Sequence, residues 1–225
     1  YKRQLLDVSA IFGSYDGSFV LYDNHLDSWK IYDLEEATKR IPPESTYKIY
    51  DALLGLESGI ITPEHSSMAW NGEHFSYSAW ENDQDLNSAM QNSVNWYFQT
   101  MDSQLGLNKI QEFLNEIEYG NQTTSSNLKL YWSDFSLKIS PIEQVELLKK
   151  FNTNGFHLHS PNVLSVKNAI KIADTSDGTF YGKTGTGCID GQDISGWFIG
   201  YIETSDNIYY FCLLYTSPSP RDPKT

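Results

Sequence analysis

Apolar and polar positions change period twice along this chain, and the changes predict its elements. Ser18–Tyr22 and Trp29–Tyr32 are short β-prone runs joined by the polar stretch Asp23–Asp27, the pattern of a hairpin. Pro42 and Pro43 then break any regular element. From Thr46, the residues Ile49, Ala52, Leu53 and Leu56 recur at helical spacing as far as Gly59. A second helical stretch is predicted from about Asp85 to Ser103, with Leu86, Ala89, Met90, Val94, Tyr97 and Met101 facing inward, and a third over Leu107 to Ile117. Ser140-Pro141-Ile142-Glu143 is a capping box with proline at the first helical position, opening a helix that carries Val145, Leu147 and Leu148. A further helix is predicted over Val163 to Ala173. Period two then returns in Thr179–Thr184, Gly196–Ile202 and Ile208–Phe211, separated by the turn signals Asp190-Gly191 and Ser205-Asp206-Asn207.

Strands at both ends and helices between them predict an α+β domain. Its termini meet in one antiparallel sheet, and the middle forms a helical subdomain. The stretch Cys212–Thr225 departs from this pattern and resembles a translated sequencing adapter, with Ser-Pro-Ser-Pro unsuited to a strand. The expected domain is therefore residues 1–211, with 212–225 an artefactual tail.

Composition narrows the picture modestly. A chain of 225 residues, 40% hydrophobic and 14% aromatic, buries one sizeable core. The net charge of -13 argues against a nucleic-acid partner, whose phosphates it would repel. Cys188 and Cys212 lack metal-ligand or redox spacing, and His157 with His159 sits on a polar stretch, so no metal is assigned. No apolar run approaches the ~20 residues of a membrane helix. Tyr1-Lys2-Arg3 begins without an initiator Met or signal pattern, and the chain is expected to be a fragment whose compartment was encoded upstream.

Three short patterns carry chemistry. Ser45-Thr46-Tyr47-Lys48 places a hydroxyl and an amine three residues apart at a helix start. Burial can displace the lysine's proton and let it act as base for Ser45, while helix N–H groups can stabilise an oxyanion. Ser93-Val94-Asn95, inside the second helical stretch, offers a hydroxyl to relay a proton and an amide to steady the lysine or a ligand. Lys183-Thr184-Gly185-Thr186-Gly187, on a closing strand, can hold an anionic carboxylate against a glycine backbone. Each alone is weak. In this order they are the signature set of penicillin-recognising serine proteins.

The resemblance extends further. Pro43–Ile49, Tyr119-Gly120-Asn121, Tyr131-Trp132 and Leu137–Gln144 resemble class D β-lactamases. Ser18–Tyr22, Ser45–Ile61, Met68–His74, Met90–Gln99 and Gly182–Gly187 resemble the extracellular sensor domain of staphylococcal and bacillar β-lactam receptors. This resemblance implies a serine β-lactamase/penicillin-binding-protein-like fold that lacks the family's closing C-terminal helix. It implies Ser45, Lys48 and Ser93 as catalytic residues, and Asn95, Trp132, Lys183, Thr184, Gly185 and Thr186 as substrate-binding ones. The implied partners are β-lactam antibiotics and the upstream membrane and zinc-protease regions of the same receptor, with the domain on the outer face of the cell membrane. No cofactor is implied beyond a CO2-derived carbamate on Lys48, which class D enzymes use to activate deacylating water. Asn95 stands where those enzymes carry a hydrophobic residue, so the resemblance favours a sensor acylated once over a hydrolase that turns over. A cell-wall transpeptidase is the third reading, disfavoured by the small size and the Tyr119-Gly120-Asn121 pattern.

Overall fold

The period-two runs from both ends of the chain do meet in one sheet. The computed structural model describes residues 2–216. Its strands are β1 (Lys2–Leu5), β2 (Asp16–Asp23), β3 (Ser28–Tyr32), β4 (Lys171–Thr175), β5 (Gly178–Ile189), β6 (Gln192–Glu203) and β7 (Ile208–Thr216). Its helices are α1 (Ser9–Phe12), α2 (Leu34–Thr38), α3 (Lys48–Glu57), α4 (Leu86–Gln91), α5 (Asn95–Leu105), α6 (Leu107–Glu116), α7 (Pro141–Asn152) and α8 (Ser160–Ala169). The seven strands lie in the order β1-β3-β2-β7-β6-β5-β4. The α+β expectation holds, with one amendment: β1 joins the edge of the sheet parallel to β3, whereas the other pairings are antiparallel.

The first long strand pairs with the last, Val20 opposite Cys212. Alternation explains the buried face: Val20 and Tyr22, Trp197, Ile199 and Tyr201, then Tyr210, Cys212 and Leu214 all point into the core. Helix α7 packs on this face against β2, β6 and β7. Its capping box forms as the sequence predicts, with the Ser140 hydroxyl accepting from the Glu143 N–H and the Glu143 side chain accepting from the Ser140 N–H. The boundary drawn after Phe211 falls inside β7, because Cys212 and Leu214 continue the buried alternation and pair with both neighbouring strands. The stretch after Thr216, on which the expected lack of a closing helix falls, lies outside the described residues.

Two helix predictions are corrected. The stretch from Asp85 to Ser103 is two helices, α4 and α5, parted at Ser93, whose φ of 51° lies in the left-handed region. The helix predicted to Ala173 ends at Ala169, and Lys171 already pairs with Tyr181 of β5. Apolar residues at Ile170 and Ala173 had extended the helical period by coincidence. Helix α3 is buried over its entire surface from Lys48 to Leu56, with α4, α5 and α8 around it. The helical lobe is built around this helix, and its N-terminus meets the sheet at β5.

Candidate active site

Ser45 sits in a 3₁₀ turn, Glu44–Tyr47, that runs directly into α3. The turn is pinned from several sides. Thr46 donates its N–H (3.2 Å) and its hydroxyl (2.6 Å) to the Pro43 carbonyl, and Gln144 of α7 donates to the Thr46 hydroxyl at 2.8 Å. Trp197 of β6 donates to the Pro42 carbonyl at 2.9 Å. The two prolines thus end one element and supply the acceptors that fix the next.

Lys48 follows one turn later and turns its amine back to the serine. Its Nζ lies 2.7 Å from Ser45 Oγ and 2.6 Å from Asn95 Oδ1, at the first position of α5. The side chain is 1% exposed and lies between the rings of Phe98 and Trp132, at 5.6 and 5.9 Å from Nζ. Burial holds the amine well below the usual lysine range, and the Lys183 charge adds to this, while Asp51 and Glu44 oppose it.

The break between α4 and α5 presents Ser93 to the facing strand, where Lys183 Nζ donates to its hydroxyl and, at 2.9 Å, to the Thr184 carbonyl. Burial lowers Lys183 from 10.5 to about 8. Thr184 and Thr186 are exposed on the same strand, with Gly185 between them. A Cβ on Gly185 would lie 3.1 Å from the Pro43 carbonyl oxygen and 3.2 Å from the Ser45 nitrogen, so the bare glycine is what lets β5 lie against the serine turn.

These residues border one open cleft of about 440 Å³. Ser45, Ser93, Asn95, Thr184, Gly185 and Thr186 line it, and Lys48 and Lys183 reach it through Ser45 and Ser93. Trp132, which the resemblance implies as substrate-binding, lies behind Lys48, 3% exposed, with its carbonyl accepting from the Glu44 N–H at 3.1 Å. Ser93-Val94-Asn95 lies on the turn and the helix start rather than mid-helix. A larger groove of about 670 Å³ carries no serine or cysteine; Arg40 bonds Glu143 there, and Lys150 bonds Glu118 at 2.8 Å. Among the described residues no group of three or more His, Cys, Asp or Glu could hold a metal ion.

Several site residues went unread in the sequence. Tyr77 and Trp80 line the cleft from around the short 3₁₀ turn Ser78–Trp80, and Asp193 from the start of β6, positions that no local pattern in the sequence marks. Glu44, next to the serine, is 9% exposed, and burial raises its carboxyl to about 8 against the pull of Lys48. Asp51 and Asp102 are fully buried. The sequence carried no signal for these carboxyls, because the burial of α3 on all sides comes from tertiary packing.

The arrangement suits acyl transfer. An unprotonated Lys48 can take the Ser45 proton over 2.7 Å, freeing Oγ to attack a strained amide carbonyl. Ser93 lies where a proton can pass to a leaving nitrogen, and Lys183 with the threonines of β5 can hold an anionic group beside it.

Comparison with known proteins agrees. Residues 21–224 match the family model "Penicillin binding protein transpeptidase domain". The regulatory protein BlaR1 of Bacillus licheniformis is 44% identical over 92% of this chain and 35% of its own length. The chain thus spans about a third of that relative. The β-lactamase OXA-10 of Pseudomonas aeruginosa is 32% identical over 87% of this chain and 74% of its own. The solved C-terminal domain of the B. licheniformis BlaR penicillin-receptor superposes with a TM-score of 0.93 at 42% identity, covering 97% of this chain and 89% of that one. Motif order, cleft geometry and these matches together make the chain a member of the penicillin-binding protein transpeptidase domain family, within the class D β-lactamase-like group that includes the BlaR penicillin-receptor domain.

Proposed function

We propose that this domain is a β-lactam sensor, acylated once at Ser45 and slow to release the acyl group. The observation that carries the reading is the pair of hydrogen bonds made by Lys48 Nζ, to Ser45 Oγ at 2.7 Å and to Asn95 Oδ1 at 2.6 Å. In the acylation step Lys48 accepts the Ser45 proton, Oγ bonds to the lactam carbonyl carbon, and the ring C–N bond breaks. The proton reaches the departing nitrogen through Ser93. Lys183, with Thr184 and Thr186, holds the β-lactam carboxylate.

Release would require Lys48 to activate water. A carbamate on Lys48, the class D device, fits this site poorly. A carboxylated nitrogen keeps one hydrogen, and here Ser45 Oγ and the acceptor Asn95 Oδ1 both stand at bonding distance from Nζ. An unmodified amine satisfies both, so the acyl ester is left without the carbamate that would activate water for its release.

The domain, in this proposal, stands at the outer face of a membrane within a longer receptor whose upstream segments span it and carry a zinc protease; similarity to the regulatory protein BlaR1 and the methicillin resistance mecR1 protein supports that reading. Among the described residues no helix is long and apolar enough to cross a membrane. The alternative, a turning-over class D β-lactamase, is supported by the 32% identity to OXA-10.

A chromogenic cephalosporin separates the two. A sensor releases one equivalent of chromophore in a burst, then none, and carries the acyl mass on Ser45. Sustained hydrolysis overturns the sensor reading. Asn95→Val, which removes the amide oxygen from Nζ, is expected to restore measurable turnover.

A further inference from the structure

Behind Lys48 lies a pair of ionisable groups that the acylation chemistry does not use. Asp51, one turn further along α3, and Asp102 on α5 are both 0% exposed. The packing of α3 on α5 leaves the two carboxyls as close buried neighbours that feel each other's charge. Tyr131 Oη donates to Asp102 Oδ1 at 3.3 Å. No N–H or O–H of another residue reaches Asp51 Oδ1, Asp51 Oδ2 or Asp102 Oδ2.

Two ionised carboxylates in that position would repel each other with three oxygens unsolvated. One proton resolves the conflict: held on Asp102, it gives Asp51 a donor and leaves the pair with a single negative charge. The surroundings agree with that assignment. Burial, then the Asp51 charge, holds the Asp102 carboxyl well above the carboxylate range. Burial lifts Asp51 to about 7, against the bond from Asp102 and the charge of Lys48.

The groups facing the pair are Lys48 on α3, Tyr47 in the turn before it, Tyr97 on α5 and Tyr131 in the loop before α7. Burial keeps the three phenols neutral. Lys48 is the cation among them, and it also faces Glu44 and Lys183. Its own hydrogen-bond partners, Ser45 and Asn95, are neutral, so its charge responds to the fields of Lys183, Asp51 and Glu44.

We infer that Asp51 and Asp102 are positioning residues acting through Lys48: the pair carries one negative charge on one shared proton, and that charge, a helical turn from the amine, sets how tightly Lys48 holds a proton. The consequence is a trade. The charge makes Lys48 a stronger base toward Ser45 and lowers the fraction of neutral lysine available at a given pH. This rests on Lys48 being the base for Ser45.

The test reads Lys48 directly. In protein carrying 13C-labelled lysine, the Lys48 13Cε signal, assigned by its loss in Lys48→Met, is followed through a pH titration. The double variant Asp51→Asn with Asp102→Asn is expected to lower the midpoint by on the order of one pH unit, and Asp51→Asn alone to lower it by less, because Asp102, one helix further from the amine, can then ionise in part. Asp102→Asn leaves it in place, because the amide N–H replaces the shared proton. A midpoint unmoved in both variants lacking Asp51 overturns the inference, and if the double variant does not fold, Asp51→Asn alone decides. Acylation by a fluorescent penicillin supplies the second arm, its acid limb moving with the Lys48 midpoint. A wild-type protein that titrates as described but is never acylated sinks the sensor reading and leaves the role of the pair standing.

Discussion

The cleft has two walls, and each carries a buried lysine. Lys48, on the helical wall, is 1% exposed, and Lys183, on the strand wall, is 5% exposed. Both donate to a serine hydroxyl. Burial lowers both proton affinities, yet the two differ in what completes their shells. Lys48 lies between two aromatic rings and an amide oxygen, with the buried Asp51 charge behind it. Lys183 bonds the Thr184 carbonyl of its own strand, and the exposed Thr184 and Thr186 open beside it to solvent. Equal burial therefore does not give equal chemistry. A lysine sealed in the core serves as a base, whereas one at about 8, with solvent and hydroxyls at hand, still offers a cation to an arriving carboxylate.

The sharpest way to break this comparison is to remove each amine. Lys48→Ala is expected to slow acylation by roughly 10³-fold or more, the scale of a lost general base. Reversible capture of the ligand should remain, as seen in competition against a fluorescent penicillin. Lys183→Ala should act the other way round: the apparent affinity falls by about 10²-fold, the scale of a lost charge-assisted contact, and the limiting acylation rate changes less. Equal losses in the limiting rate would erase the distinction between the walls.

A pH series sharpens the same point. Lys183 is a cation below about 8 and loses its charge above it. Apparent affinity for a carboxylate-bearing β-lactam is expected to fall as pH rises through that value. In Lys183→Ala the dependence should vanish, leaving the limb set by Lys48.

The difference between the walls also explains how far the sequence could be read. Ser45 and Lys48 were legible because three residues apart at a helix start is one turn, and Asn95 because the order of the three motifs singled it out, not because the start of α5 could be read. Lys183-Thr184-Gly185 was legible because strand alternation sends neighbours to opposite faces. The left-handed turn at Ser93 was not, since α4 and α5 share one apolar period across it, and only the tertiary contact with Lys183 requires the break. Asp51 was hidden for a related reason. On an amphipathic helix it would have faced water, and only the enclosure of α3 by α4, α5 and α8 puts it in the core. Trp132 was assigned by resemblance alone, and its ring turned out to contact the lysine rather than the cleft.

Stability offers a third separation. The folded protein holds the Lys183 proton at about 8, against 10.5 for an ordinary lysine. The unfolded chain therefore binds more protons between those values, and stability rises with pH through that window; below about 8 the full penalty applies. Lys183→Met should be more stable than the wild type at pH 7, by on the order of 1–3 kcal/mol, with the gain shrinking as pH climbs toward 10.5. Urea midpoints at two pH values measure this, and an unchanged gain across the window would show that packing, not charge, was responsible.

The smallest effect tests whether the two walls must touch. Gly185 brings β5 against the Ser45 turn, where an added Cβ would meet the Pro43 carbonyl and the Ser45 nitrogen at 3.1 and 3.2 Å. These two neighbours are backbone and the third, Glu44 Cβ at 3.2 Å, is fixed by the same backbone; the turn they belong to is pinned by Gln144 and Trp197, so it is the strand that must yield, by a few tenths of an ångström. Such a shift leaves the sheet intact and moves the carboxylate-holding groups of β5 away from the nucleophile. Gly185→Ala should therefore cost little stability while slowing acylation by about tenfold, since reacting groups held in place tolerate little displacement. Unchanged acylation would mean that the strand wall holds the ligand without helping to orient it toward Ser45.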